Sequence, residues 1–379
     1  MLGHPGHAAA VCLEEPMNAD DEFLRGDFPR SDFPRGTAPQ SHQQPPPHQP
    51  WGQPPPRQPA GQLPYPYPGP LPPMGPRPAR GWRRVVLSAT LGLVNLGPSP
   101  AEREEAAYEA AIRSMPNGIY KVGVLGKGGV GKTTVAASVG SVFAALRRAD
   151  HVVAVDADTA FGRLGSRIDP RATSSYWDLA ADQSMQSFAD ISSRVGANAA
   201  GLYVLIGEPA AGGRRVLDAA LYREAALRLD RHFTISIVDC GSTMDSAVTQ
   251  EALRDLDALI VVSSPWADGA GAAAKTMEWL ADRGQGGLLQ RSVVVLNDSD
   301  GHADKRTRSA LTAQFLQHGQ EVVEVPFDPH LRPGGVIDVV SEMAPATRRR
   351  FLQIAAIVAR HFSARPGGRT ARRGPNQSM

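Results

Sequence analysis

Residues 126–134, Gly-Lys-Gly-Gly-Val-Gly-Lys-Thr-Thr, put four glycines, two lysines and two neighbouring threonine hydroxyls into nine positions. Residues 126–133 satisfy the spacing G-x-x-x-x-G-K-[ST], which follows an apolar run and opens an Ala-rich segment, the context a phosphate-binding loop requires. Gly126, Gly128, Gly129 and Gly131, with Val130 between them, free the backbone to aim successive N–H groups inward, and a helix starting there adds its dipole. Lys132 is expected to reach the β- and γ-phosphates of a nucleotide, Thr133 to ligate Mg²⁺, and Thr134 to help hold the α-phosphate. Lys127 is surplus to that chemistry. Only five of the 40 basic residues are lysine, yet two of them fall in this loop, so chance is a poor account of Lys127.

Phosphoryl transfer also needs a second acidic metal partner, which folds with such a phosphate loop place at the end of a later buried strand. Asp239, closing the apolar run of "ISIVDCG", suits that role, and Gly241 is placed to sense the γ-phosphate through its backbone N–H. In "VAVDADTAFGRLG", Asp156 and Asp158 stand two apart at a strand end, which puts both on one side of the chain. Asp158 is the candidate for orienting or activating an attacking water, and Asp156 for supporting Mg²⁺ and its waters. The plain alternative for this pair is a strand ended by turn formers.

The elements that must position these groups are legible from Tyr120 onward. Short β-branched runs ("YKVGVLG", "HVVAVDAD", "GLYVLIG", "FTISIVDC", "DALIVVSS", "RSVVVLND", "EVVEVPF") alternate with longer Ala- and Leu-rich stretches. The runs are continuously apolar rather than alternating, as parallel strands covered on both faces should be. This pattern predicts an α/β fold with a doubly wound, mostly parallel sheet and its ligand at the carboxyl ends of the strands. The final helix, "TRRRFLQIAAIVARHF", is apolar round nearly its whole circumference, which favours packing on the sheet over lying in a membrane surface.

Ahead of this domain, 17 of the 43 residues from Ala38 to Arg80 are proline. Such a stretch lacks donors and apolar periodicity, so residues 1–80 are expected to be a disordered, Pro-rich arm that acts as a spacer or a contact for protein partners. Residues 81–118 read as a helical adaptor, 119–363 as the nucleotide-binding domain, and 364–379 as a disordered basic tail. The net charge of +2 gives no strong pull towards nucleic acid or anionic lipid. Two cysteines, Cys12 and Cys240, exclude a disulfide framework and a four-cysteine cluster within one chain, and they fit a reducing, cytoplasmic setting.

"GKGGVGKTT", "VDADTAFGRL" and "IVDCG" together resemble the deviant Walker A ATPases of the MinD/ParA type, the SIMIBI class of loop NTPases, over roughly Tyr120 to Phe362. The resemblance implies ATP and Mg²⁺ as cofactors and a homodimer in the ATP-bound state. It also implies that Lys127 crosses that dimer's interface to the partner's phosphates and that Asp158 is the hydrolytic switch residue. Base recognition near the last strands then falls on Asn297 for the adenine edge and on Pro326, Phe327 and Asp328 for stacking or backbone contacts. The layout of Pro-rich arm, "GWRRVVLSATLGLVNLGPSPAE", ATPase and "VPFDPHLRPGGVID" is similar to mycobacterial MinD-like proteins associated with type VII secretion. DNA partition would need a basic surface on the dimer and membrane positioning a free amphipathic helix, so nucleic acid and peripheral membrane rank below protein partners.

Overall fold

A computed structural model describes residues 78–158, 162–182, 184–207 and 215–363. The expectations for most of the Pro-rich arm and for the basic tail therefore lie outside the described residues. The elements run α1 (Gly81–Ala89), α2 (Pro100–Arg113), β1 (Tyr120–Gly126), α3 (Lys132–Leu146), β2 (Val152–Ala157), α4 (Leu164–Ile168), α5 (Tyr176–Ala181), α6 (Phe188–Ser192), β3 (Gly196–Ala197), β4 (Leu202–Leu205) and α7 (Ala219–Leu229). They continue with β5 (Ile235–Cys240), α8 (Ala247–Leu253), β6 (Ala258–Ser263), α9 (Ala267–Asp282), α10 (Gly286–Leu289), β7 (Ser292–Asn297), α11 (Lys305–Gln317), β8 (Glu321–Val325) and α12 (Pro345–Ser363).

The strands form one eight-stranded sheet in the order β3-β4-β2-β5-β1-β6-β7-β8, parallel throughout except for the β3–β4 pair. Continuous apolar runs are explained by burial on both faces. Along β6, Ala258, Ile260 and Val262 enter one core while Leu259 and Val261 enter the other. The first core is closed by α3 and α12, the second by α5 and α7–α11. α12 buries Phe351, Leu352, Ile354, Ala355, Ile357, Val358 and Phe362, as its all-round apolar sequence predicts.

Residues 81–118 hold two helices of different character. α2 starts with a capping box, Ser99 accepting from Glu102 N–H while Glu102 accepts from Ser99 N–H, and with proline in the first turn. It lies on α12: Ile112 and Met115 are buried in the first core, and Glu105 pairs with Arg348 and Arg349. α1 buries none of its residues. The short α4, α5, α6 and α10 and the two-residue β3 have no counterpart in the sequence reading, because one turn of helix or two extended residues carry no measurable period.

Candidate functional site

β1 lies between β5 and β6, so the loop leaving it opens at the middle of the sheet's carboxyl edge. α3 begins without a side-chain cap, which leaves first-turn N–H groups for a ligand. Its N-cap, Gly131, holds φ at +93°, and a Cβ there would lie 2.4 Å from Asn297 Nδ2. Glycine is therefore required on two counts. Asn297, buried at the end of β7, donates Nδ2 to the Val130 carbonyl at 2.9 Å and so props the loop from below.

Within the loop, the buried Lys132 curls back so that Nζ donates to the Lys127 carbonyl at 3.3 Å. Thr133 Oγ1 donates to Asp239 Oδ2 at 2.6 Å, while Asp239 Oδ1 is buried without a hydrogen-bond partner. Parallel register sets Asp156 of β2 directly beside Asp239 of β5. Asp156 is aimed by the backbone, accepting the N–H of Asp158 at 3.3 Å and of Leu164 at 3.0 Å. Gly162 closes over it, since a Cβ there would fall 2.5 to 2.7 Å from the Asp156 carboxylate. Burial lifts both carboxyls above the usual range; in Asp156 the charge of Asp239 adds to it, and in Asp239 the Thr133 hydrogen bond opposes it.

These residues fit a magnesium ion shared with phosphate. Mg²⁺ takes one or two carboxylates and fills its shell with water and phosphate oxygens. Asp239 has one carboxylate oxygen to spare, Thr133 is its neighbour, and Asp156 stands behind. Among the described residues no group of three or more His, Cys, Asp or Glu forms a metal site of its own.

Asp158 lies beside Gly241: a Cβ on Gly241 would lie 3.4 Å from Asp158 Oδ1. At the other end of the sheet edge, Pro326 and Phe327 follow β8 half-buried, and the Phe327 ring lies against Gly301. Asp328 is buried and its carboxylate is committed within its own loop, accepting from His330 N at 3.0 Å and Ala344 N at 2.9 Å.

Two neighbours of the loop are absent from the sequence reading. Lys127, half-exposed, turns away from the cradle and pairs through Nζ with Asp268 Oδ2 at 2.8 Å, in the first turn of α9. That hydrogen bond holds the Asp268 carboxyl below its usual range. Arg167 of α4 is buried and donates to Thr134 Oγ1 at 2.7 Å, to the Leu331 carbonyl at 2.9 Å and to the Gly335 carbonyl at 3.0 Å. Burial pushes its pKa down.

Comparison with known proteins follows the same lines. The profile of the CobQ/CobB/MinD/ParA nucleotide binding domain matches residues 124–333. The ESX-1 secretion-associated protein EspI, in two strains of Mycobacterium tuberculosis, is 32% identical over 286 residues, 75% of this chain. The match spans only 42% of the length of those relatives. Among solved structures, the MinC:MinD cell division protein complex of Aquifex aeolicus aligns with a TM-score of 0.48 at 18% identity, covering 65% of this chain and 97% of that one. The septum site-determining protein MinD of Pyrococcus horikoshii, complexed with Mg-ADP, aligns with a TM-score of 0.47 at 20% identity, covering 62% and 94%. With the profile spanning more than half of its length, this chain belongs to the CobQ/CobB/MinD/ParA nucleotide-binding family.

Proposed function

We propose that this protein binds and hydrolyses Mg-ATP and pairs with a second copy of itself in the ATP-bound state, as a dimerisation switch of the MinD/ParA type. The observation that carries the reading is the division of labour between the two loop lysines. Lys132 is buried against the loop backbone, whereas Lys127 stands at the rim, half-exposed, with its Nζ on an exposed aspartate. A lysine serving its own cradle would point inward. One held at the rim by a solvent-screened ion pair exchanges that partner for a second subunit's phosphates at little cost.

In the hydrolytic step Lys132 and the α3 N-terminus neutralise the transferring phosphate, and Asp158 beside Gly241 holds the attacking water in line. Mg²⁺, held by Thr133 and Asp239 with Asp156 behind, would supply charge neutralisation across the phosphate oxygens. Adenine recognition falls to Asn297 Oδ1, since Nδ2 is engaged, to the rings of Pro326 and Phe327, and to the backbone from Pro326 to Asp328.

The likeness to an ESX-1 secretion-associated protein supports a type VII secretion-related process, read by protein partners that the Pro-rich arm contacts from the cytoplasmic side. Two observations weigh against the other surfaces. Arg348 and Arg349 of "TRRRF" are paired with Glu105 and Glu109 rather than offered to DNA. α12 spends its apolar residues on the sheet and α2, which leaves no stripe for a bilayer.

Light scattering with ATP on wild type, Asp158→Ala and Lys127→Ala tests the switch. Asp158→Ala should accumulate as an ATP-bound dimer, and Lys127→Ala should bind ATP as a monomer. A Lys127→Ala protein that dimerises like wild type would sink the reading.

A further inference from the structure

Arg167 is the feature that the phosphate chemistry above does not use. Its side chain is buried, and the three acceptors of its guanidinium, a hydroxyl and two carbonyls, are all neutral. A buried charge hydrogen-bonded to neutral groups carries a desolvation penalty that an anion close by would offset. The acceptors are also far apart in sequence. Thr134 belongs to the phosphate loop, while Leu331 and Gly335 belong to the loop after β8. The backbone adds a fourth tie, with Ile337 N–H donating to the Arg167 carbonyl at 2.9 Å.

The loop thus gripped is also closed at its base, where Asp328 accepts the Ala344 N–H, and across its middle, where His330 Nε2 accepts the Asp338 N–H and Nδ1 lies 3.0 Å from Glu342, and it seats Ile337, Val339 and Met343 in the first core. On its outer side Val336 and Val340 are exposed. α4, which carries Arg167, begins directly after the Asp156–Gly162 segment, and Asp156 accepts its first N–H, that of Leu164.

We propose that Arg167 is a positioning residue that ties the phosphate end of the nucleotide site to the 331–337 loop, so that a bound nucleoside triphosphate further orders this loop. The inference rests on the phosphate-site reading of Thr134. A phosphate beside Thr134 brings negative charge to within reach of a guanidinium that has none. Strengthening that contact tightens the bonds from the same planar group to Leu331 and Gly335. Lysine cannot replace it, because one ammonium on a flexible stem does not span a hydroxyl and two carbonyls in a fixed fork.

Hydrogen exchange with mass spectrometry on the full chain, with and without Mg-ATP, tests this alongside ATP affinity by calorimetry. In wild type, ATP should slow exchange both in 126–134 and in 331–337, the latter by about tenfold. Thr134→Val cuts the link at the nucleotide side and leaves Arg167 packed on the loop. It weakens ATP binding in its own right, so it is compared at a Mg-ATP concentration that calorimetry shows to saturate the variant; there it should keep the basal exchange of 331–337 and the ATP protection of 126–134, while losing the ATP response of 331–337. Arg167→Met should raise basal exchange of 331–337, abolish its response to ATP and weaken ATP binding about tenfold; Arg167→Lys should not restore the response. Should Arg167→Met not fold, Thr134→Val decides alone. Wild-type protection of 126–134 without any response at 331–337, or an unchanged response in folded Thr134→Val, overturns the inference and spares the nucleotide reading. No protection in either segment of wild type overturns both.

Discussion

Asn297→Ala separates two jobs that meet on one side chain. Its Nδ2 hydrogen bond to Val130, which is itself buried, is the underside support of the phosphate loop. Removing that donor strands a buried carbonyl, a loss of about 1–3 kcal/mol. If the whole of it falls on the binding-competent loop conformation, affinity for any ligand of that loop drops by roughly 5- to 150-fold. Inorganic triphosphate has no base and reports the support alone, whereas ATP reports the support together with any contact from Oδ1 to adenine. Calorimetric titration of wild type and Asn297→Ala with both ligands should show triphosphate affinity falling within that range and ATP affinity falling at least as far. Triphosphate binding that is unchanged in a folded Asn297→Ala protein refutes the argument that this amide holds the loop.

Gly131→Ala forces a left-handed backbone on a residue with a Cβ, at about 1–3 kcal/mol, and drives that Cβ into Asn297 Nδ2; it should purify folded by circular dichroism and bind no triphosphate. Asp239→Asn keeps a partner for Thr133 but removes the charge, so in thermal-shift assays the stabilisation that Mg²⁺ adds to ATP should vanish while that of ATP alone persists. Ile112→Ala opens a cavity between α2 and the first core, which should cost about 2–5 kcal/mol and lower Tm by roughly 4 to 20 °C, with ATP affinity unchanged in calorimetry.

What could be read from the sequence was whatever repeats locally or sits inside one short window. β1, β2 and β4–β7 announce themselves because burial on both faces keeps each run almost wholly apolar, β8 by its valines although Glu321 is exposed and Glu324 half-buried at the sheet edge, and the loop at 126–134 because nine neighbouring residues carry most of the cradle. The partnership of Asp156 with Asp239 was approachable too, since both end apolar runs. By contrast, Asp268 is one acid at a helix start, and only the placement of α9 next to β1's exit brings it to Lys127, 141 positions earlier. Arg167 was silent for the same reason: "GRLGSRID" has no period, and its partners lie at Thr134 and beyond residue 330. Asn297 was noticed for the base and not for the loop, because a side chain that supports a backbone carbonyl 167 residues away leaves no pattern around itself.

The clasp between α2 and α12 has a consequence in time. Glu105 and Arg349 are 244 residues apart, so at 5–20 residues per second about 12 to 50 s of synthesis separate the helix from its ion-pair partner. Through that interval α2 is complete, while Ile112 and Met115 still lack the C-terminal helix that helps to cover them. The clasp itself can close only once α12 has been made, and a chain stopped before Pro345 lacks the helix that covers this side of the first core.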